Sequence, residues 1–350
     1  LLHGAAAAQE TPAAPAAGAL TFEQIQLGEE DMIAVPVGYA SSVLIRWGDP
    51  LFADSPAFDP QQQTPEAQAR QFGYNNDYIG FLPLPAGSSG ADRALLAVNH
   101  EYTNPELMFA GYDDESPTHQ QVDTELAAHG LSVVEIARQG GQWSVVVGSP
   151  QNRRITGETP IQITGPAAGH ALLQTSEDPS GTRVRGTLNN CSAGKTPWGT
   201  ILTCEENFNQ YFANMNMMPD GDPRKAAHRR YGLTAEASER KWETFHRRFD
   251  LAQEPNEPFR FGWAVEVDPY DASSTPKKRT ALGRFKHEAT TFMVGPDGRV
   301  GVYMGDDERF DYVYKFVTAR PMSRTDRTAN ADLLDSGTLY AATFNDDGTG

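Results

Sequence analysis

The chain has 350 residues, enough for one large domain or two ordinary ones. Its formal net charge is −17, a surface that repels nucleic acid and anionic membranes and would repel a phosphorylated substrate unless bound cations reversed the sign locally. With 32 Gly, 24 Pro, few long helical patterns and no apolar run long enough to span a membrane, the composition favours a β-rich body with many turns.

Leu1–Leu20 is rich in Ala and Pro. It reads as a disordered stretch, either the remnant of an export signal with an Ala-x-Ala site at Ala6–Ala8 or a flexible linker. The first residue is not Met, so the true start is expected to lie upstream. Residues 31–48, MIAVPVGYASSVLIRWGD, read as two short strands around Pro-x-Gly. A short helix is expected at Pro65–Phe72. IGFLPL (79–84) and RALLAVN (93–99) read as a hairpin-like pair, and the second runs directly into His100-Glu101. After a helical patch near residue 121, LSVVEIA and QWSVVVG flank Gly140-Gly141 as the clearest hairpin. RVRGTL, a cysteine-bearing turn and WGTILTC then lead into Glu205-Glu206.

Met215–Leu251 reads as an inserted, mostly helical lobe carrying Arg229, Arg230, Arg240, Lys241, Arg247 and Arg248. The basic run is first a solvated helix face and second an aid to anionic substrates. From Phe259 the strand rhythm returns: FRFGWAVEVD, TALGRFK, TTFMVG, RVGVYMG, DYVYKFV and TLYAATF. Strands spaced roughly ten to twelve residues apart suggest a sandwich, barrel or propeller. The end at NDDGTG reads as a loop within a sheet, with further chain expected beyond it.

Four strand-like runs end in acids: His100-Glu101, Glu205-Glu206, His287-Glu288 and Asp306-Asp307-Glu308. Carboxylates gathered at one end of several strands raise one another's pKa and need cations to stay ionised. Oxygen-rich clusters suit calcium, and an added thiolate makes an iron position plausible. Each motif alone has a duller reading as a charged turn. Cys191 and Cys204 lie thirteen residues apart and leave disulfide, free thiol and metal thiolate all open. Zincin, P-loop, C-x-x-C and G-x-S-x-G motifs are absent from the sequence.

The stretch Asn189–Tyr211, NNCSAGKTPWGTILTCEENFNQY, resembles the signature of the PhoX-type alkaline phosphatases. Asn99–Thr103 (NHEYT), Lys286–Thr290 (KHEAT) and Tyr303–Glu308 (YMGDDE) look like further motifs of that family, in its order. The resemblance implies a β-propeller, incomplete in this stretch of chain, over residues 21–350, with the helical insertion at about 215–251. It implies phosphomonoester hydrolysis at a mixed Fe3+ and Ca2+ site and export by a twin-arginine route to the periplasm or outside. It makes Cys191 and Glu288 iron ligands. Glu101, Glu206 and Asp307 are candidates for calcium ligands or bridging carboxylates, with Glu205 and Asp306 as near alternatives. Lys195 is a candidate phosphate contact, while Thr196 more simply shapes the turn before Pro197. Further ligands, including an arginine, are expected beyond Gly350. A small-molecule substrate and a monomeric state are expected. The alternatives are a calcium-stabilised, non-catalytic binding propeller and a calcium-dependent propeller lactonase or esterase.

Overall fold

The computed structural model describes residues 22–347 and 349. The export-signal or linker reading of residues 1–20 lies outside the described residues. The chain divides into two compact units, Leu1–Leu44 and Ile45–Gly350.

In the first unit, the described residues 22–44 form neither helix nor strand. The strands expected within residues 31–48 are therefore not formed. Met32, Ile33 and Val37 are exposed, so the apolar run has no face to bury. A turn at Pro36–Tyr39, closed by the Tyr39 N–H on the Pro36 carbonyl at 3.0 Å, interrupts it. Alternation without a pairing partner does not make a strand.

The described residues of the second unit are mainly β and form three sheets. The first consists of β1 (Asn76–Pro83), β2 (Arg93–His100), β3 (Gly130–Gln139) and β4 (Gln142–Val145) in that order, with β5 (Arg153–Ile155) also on β3. All its pairings are antiparallel. Three short helices accompany it: α1 (Pro65–Gln68), α2 (Pro105–Met108) and α3 (His119–Ala128). α3 starts in a capping box between Thr118 and Gln121 and buries Val122, Leu126 and Ala128.

The second sheet contains β6 (Pro160–Thr164), β7 (Arg183–Arg185), β8 (Asn190–Lys195), β9 (Ile201–Glu205), β10 (Ala264–Val267) and β11 (Lys277–Arg279). Its order is β7-β6-β11-β10-β9-β8, with β6 and β11 parallel. The third is an antiparallel meander of β12 (His287–Val294), β13 (Val300–Asp306), β14 (Val313–Thr318) and β15 (Gly337–Ala341). TALGRFK, expected as a strand, instead forms a 3-10 turn at Thr280–Leu282 ending on Gly283 at φ +87°. A residue in that left-handed region breaks a strand, and glycine takes it without a Cβ clash.

The main core joins the first two sheets through Leu95, Leu131, Ile161, Ile201 and Val265. Residues 215–251 contain one helix, α4 (Arg224–Arg230), and short 3-10 turns. Trp242, Phe249 and Leu251 from this segment are buried in that same core. Its basic residues are not all solvated: Arg248 is buried and donates to the carbonyls of Arg185 and Gly157 and to Glu158 at 2.7–2.8 Å. A second core packs Val300, Val302 and Phe316 of the third sheet against Leu202 and Ala264 of the second.

Candidate metal centre

The candidate ligands cluster where strand pairing is irregular. The β8–β9 register shifts between Asn190 and Ala193, so Cys191 lies in a bulge. The β12–β13 register shifts between His287 and Thr290, so Glu288 does too. A third shift between Asn76 and Ile79 of β1 contains Asp77. Bulges re-aim side chains out of the regular alternation and often border functional sites. The segment bearing Cys191 is thus a strand, not the turn expected there.

β8 and β12 approach closely. An added Cβ on Gly194 would lie 2.1 Å from the Thr290 carbonyl oxygen, so this crossing tolerates only glycine. The Cys191 thiol points to the Glu288 carbonyl at 3.1 Å and the His287 carbonyl at 3.5 Å. One ligand atom each from Cys191, Glu206 and Glu288 lies within 4.8 Å of the other two. Cys191 and Cys204 are both free thiols.

Glu206 is set by the strained start of β8. Asn189 adopts φ 53°, a left-handed conformation that Asn tolerates. Its carbonyl accepts the Glu206 N–H at 3.0 Å and its side-chain oxygen accepts the Asn207 N–H at 2.6 Å.

The electrostatics are those of crowded acids. Burial, a hydrogen bond with the Asp307 side chain and the charges of Glu288 and Glu101 push Glu206 up to about 7. Burial, then Asp77 and Glu288, push Glu101 up to about 7, while Arg240 pulls it down. Glu288 is raised by burial and Asp307. The Cys191 thiol is raised by burial first, then by Cys204, Glu206 and Glu288. Glu101, Glu206, Glu288, Asp307 and Cys191 therefore share one locality. Glu101, Glu206, Glu288 and the Cys191 thiol are all raised, and so hold their protons more tightly unless a cation compensates. A thiol beside carboxylates is a donor set for a borderline ion next to a hard one, so these residues fit iron and calcium.

The other sequence candidates fall elsewhere. Glu205 precedes Glu206 by one residue, and strand alternation turns it the opposite way. It is fully buried, pairs with Lys278 Nζ at 2.7 Å and accepts the N–H groups of Gly262 and Trp263 at 3.0 and 3.1 Å. Asp306 is raised by burial and by Asp311 and accepts the Glu308 N–H at 3.1 Å. Lys195 is exposed at the far end of β8, roughly 13 Å along the strand from Cys191. Thr196 closes the following turn, its hydroxyl 2.8 Å from that of Thr200.

Sequence reasoning passed over Asp77, and named Arg240 and Asn99 without giving either a role at this site. Asp77 sits in an unremarkable polar loop-to-strand junction, and Arg240 in a basic run without apparent direction. Asn99 was visible as the residue before His100-Glu101. A cavity of about 860 Å³ is lined by Thr103, Tyr112, Gln210 and Arg240 among others, and Cys191, Glu206 and Glu288 are not part of its lining. Arg240 donates to the Thr103 hydroxyl at 3.0 Å, two residues from Glu101.

Fold and site thus define a mainly β protein with a buried thiol set among clustered carboxylates at sheet bulges. The chain belongs to the PhoX family: the family model described as alkaline phosphatase PhoX matches residues 20–350. Among solved structures it is similar to Pseudomonas fluorescens PhoX in complex with vanadate, a transition state analogue. The identity is 48% and the TM-score 0.85, over 93% of this chain and 55% of that one. The chain thus spans little more than half the length of that relative. No curated protein matches it.

Proposed function

We propose that this chain forms part of a metal-dependent alkaline phosphatase that hydrolyses phosphomonoesters at a mixed iron-calcium site. The observation that carries the reading is the meeting of Cys191, Glu206 and Glu288 within 4.8 Å, among acids drawn from separate sheets. Membership of the PhoX family and the vanadate complex of the Pseudomonas fluorescens relative support it. The three sheets are read as blades of a β-propeller with their acid-bearing strand ends at its axis. Export to the periplasm or outside, a small-molecule substrate and a monomeric state complete the proposal.

In this reading Cys191 and Glu288 would hold ferric iron, and Glu101, Glu206 and Asp307 would hold calcium or bridge the ions. Such ions would supply charge compensation for the phosphate and an activated oxygen nucleophile. The residues of the chain set the donors in place beforehand. Asn99 fixes the backbone of Cys191 through the Cys191 carbonyl at 2.7 Å, and Asn189 fixes Glu206 through its N–H. Cys191 must surrender its proton to ligate, and the surrounding acids hold that proton on until a cation replaces it. Arg240 draws Glu101 toward its ionised, ligating form. Preset donors of this kind do their work without reorganising during the reaction.

The test is hydrolysis of p-nitrophenyl phosphate at alkaline pH by the full-length protein, with and without chelator, alongside elemental analysis. Turnover that chelator abolishes, with iron lost in Cys191→Ser, supports the reading. Calcium-dependent melting without iron or turnover would replace it with a binding propeller. Calcium-dependent ester hydrolysis surviving Cys191→Ala would replace it with a lactonase or esterase.

A further inference from the structure

A second group of ligating side chains lies apart from Cys191. His119 is the first residue of α3 and Asp123 follows one turn later, so both lie on one face of the helix. His246 arrives from 123 residues further along, just after the 3-10 turn Trp242–Thr244. Its Nε2 is 2.7 Å from one Asp123 oxygen, and His119 Nε2 is 3.5 Å from the other. One ligand atom from each of the three lies within 4.8 Å of the others.

The rings are held by their neighbours. His119 stacks on Phe245 with centroids 5.1 Å apart and planes 8° apart, and meets His246 edge-on at 5.3 Å. His246 in turn packs edge-on against the buried Phe249. Burial, partly offset by Asp123, keeps His246 below the ordinary imidazole value.

We propose that His119, Asp123 and His246 form a binding site for one divalent transition ion, with zinc the best match and water completing the shell. Two imidazoles and a carboxylate are a common zinc donor set when one position is left to solvent. Donors at a tetrahedral zinc stand about 3.3 Å apart, given bonds of about 2.0 Å. To close the remaining gap, the half-exposed His119 would shift within its stack on Phe245. The ion would clip α3 to the segment that inserts Trp242 and Phe249 into the core. The plainer alternative is a helical His–Asp pair with a second histidine hydrogen-bonded to it. The inference does not depend on the phosphatase reading, since none of its residues belongs to the Cys191 cluster.

The experiment is isothermal titration of metal-stripped, full-length protein with zinc chloride, paired with melting curves. Wild type, Cys191→Ser, His119→Gln and His246→Gln are compared. One zinc equivalent is expected to persist in Cys191→Ser and to vanish in both histidine variants. Zinc should raise the melting temperature of Cys191→Ser but not of His119→Gln beyond any rise due to the other site. His119 touches the core only through its stack on the partly buried Phe245, with its side chain 58% exposed, so His119→Gln decides the matter if His246→Gln folds poorly. Retention of every zinc equivalent in His119→Gln overturns the proposal. So does a wild type with no zinc equivalent beyond those lost with Cys191.

Discussion

The side-chain amide of Asn99 donates to the carbonyl of Cys191 at 2.7 Å, joining positions 92 residues apart in sequence. The same amide reaches the Ser192 carbonyl at 3.1 Å, and its oxygen accepts the Thr203 hydroxyl at 3.0 Å. One buried side chain thus ties the end of β2 to both the β8 bulge and β9. Asn99→Ala leaves two carbonyls and a hydroxyl without this partner, each worth about 1–3 kcal/mol when stranded. A loss on the order of 2–3 kcal/mol in urea denaturation is expected, with weaker metal retention. Asn99→Asp should be worse, because it aims a second acceptor at two carbonyls. A wild-type denaturation midpoint in Asn99→Ala would show that the bulge holds itself.

Gly194→Ala tests the crossing of β8 and β12 from the other side. The new methyl would meet the Thr290 backbone at 2.1 Å, which cannot yield as a flexible side-chain tip could. Overpacking of this kind costs about 1–3 kcal/mol. Because Cys191 and Glu288 lie on these two strands, the variant should lose melting temperature and thiol-bound metal together. An unchanged melting curve would mean the strands separate freely.

The fold was legible where burial writes itself into one strand. RALLAVN, LSVVEIA and RVGVYMG are apolar runs bounded by turns, and each forms a strand. β8 was not legible, because N-C-S-A-G-K has no strand-like alternation. Its extended form comes from pairing with β9 and from the distant Asn99. β11 reads as Lys-Lys-Arg, yet Lys278 and Arg279 are buried, paired with Glu205 at a separation of 73 residues and with Glu266 at a separation of 13. At the site, the gathering of acids at strand ends could be read from the sequence. Which member of an adjacent pair faces the thiol could not, since one residue of backbone alternation decides between Glu205 and Glu206. Asp77 carried no signal at all, because only the β1 bulge brings it near Glu101.

Glu205 and Lys278 form a fully buried pair that also rests on the Arg260 carbonyl at 2.9 Å and the Phe261 ring at 3.8 Å. Removing one partner strands the other charge in the core. Lys278→Met is expected to cost about 3–5 kcal/mol, while the double variant Lys278→Met with Glu205→Leu should recover much of that loss. A double-mutant cycle by chemical denaturation reads the coupling. If the double variant is as unstable as the sum of the single ones, the pair carries no coupling and Glu205 acts through the N–H groups of Gly262 and Trp263 instead.

The acid cluster makes a pH-dependent difference between metal-loaded and metal-stripped protein. Glu101 and Glu206 are each raised from 4.5 to about 7 without metal, chiefly by burial. Between those values the folded state binds more protons than the unfolded one, so stability of the stripped protein falls as pH rises through that window. Cations that replace the protons should remove this slope. His129 acts with the opposite sign. Burial lowers it from 6.5 to about 3, so the unfolded state binds the extra proton and stability falls as pH drops across that range. His129 is bonded to Tyr211 at 2.8 Å and to the Glu125 carbonyl at 2.7 Å. Its contribution is expected in both forms and cancels in their difference. Melting temperatures measured from pH 4.5 to 8, with calcium and iron or with chelator, should therefore diverge as pH rises. Curves that stay parallel would mean that the acids near Cys191 do not feel the added cations.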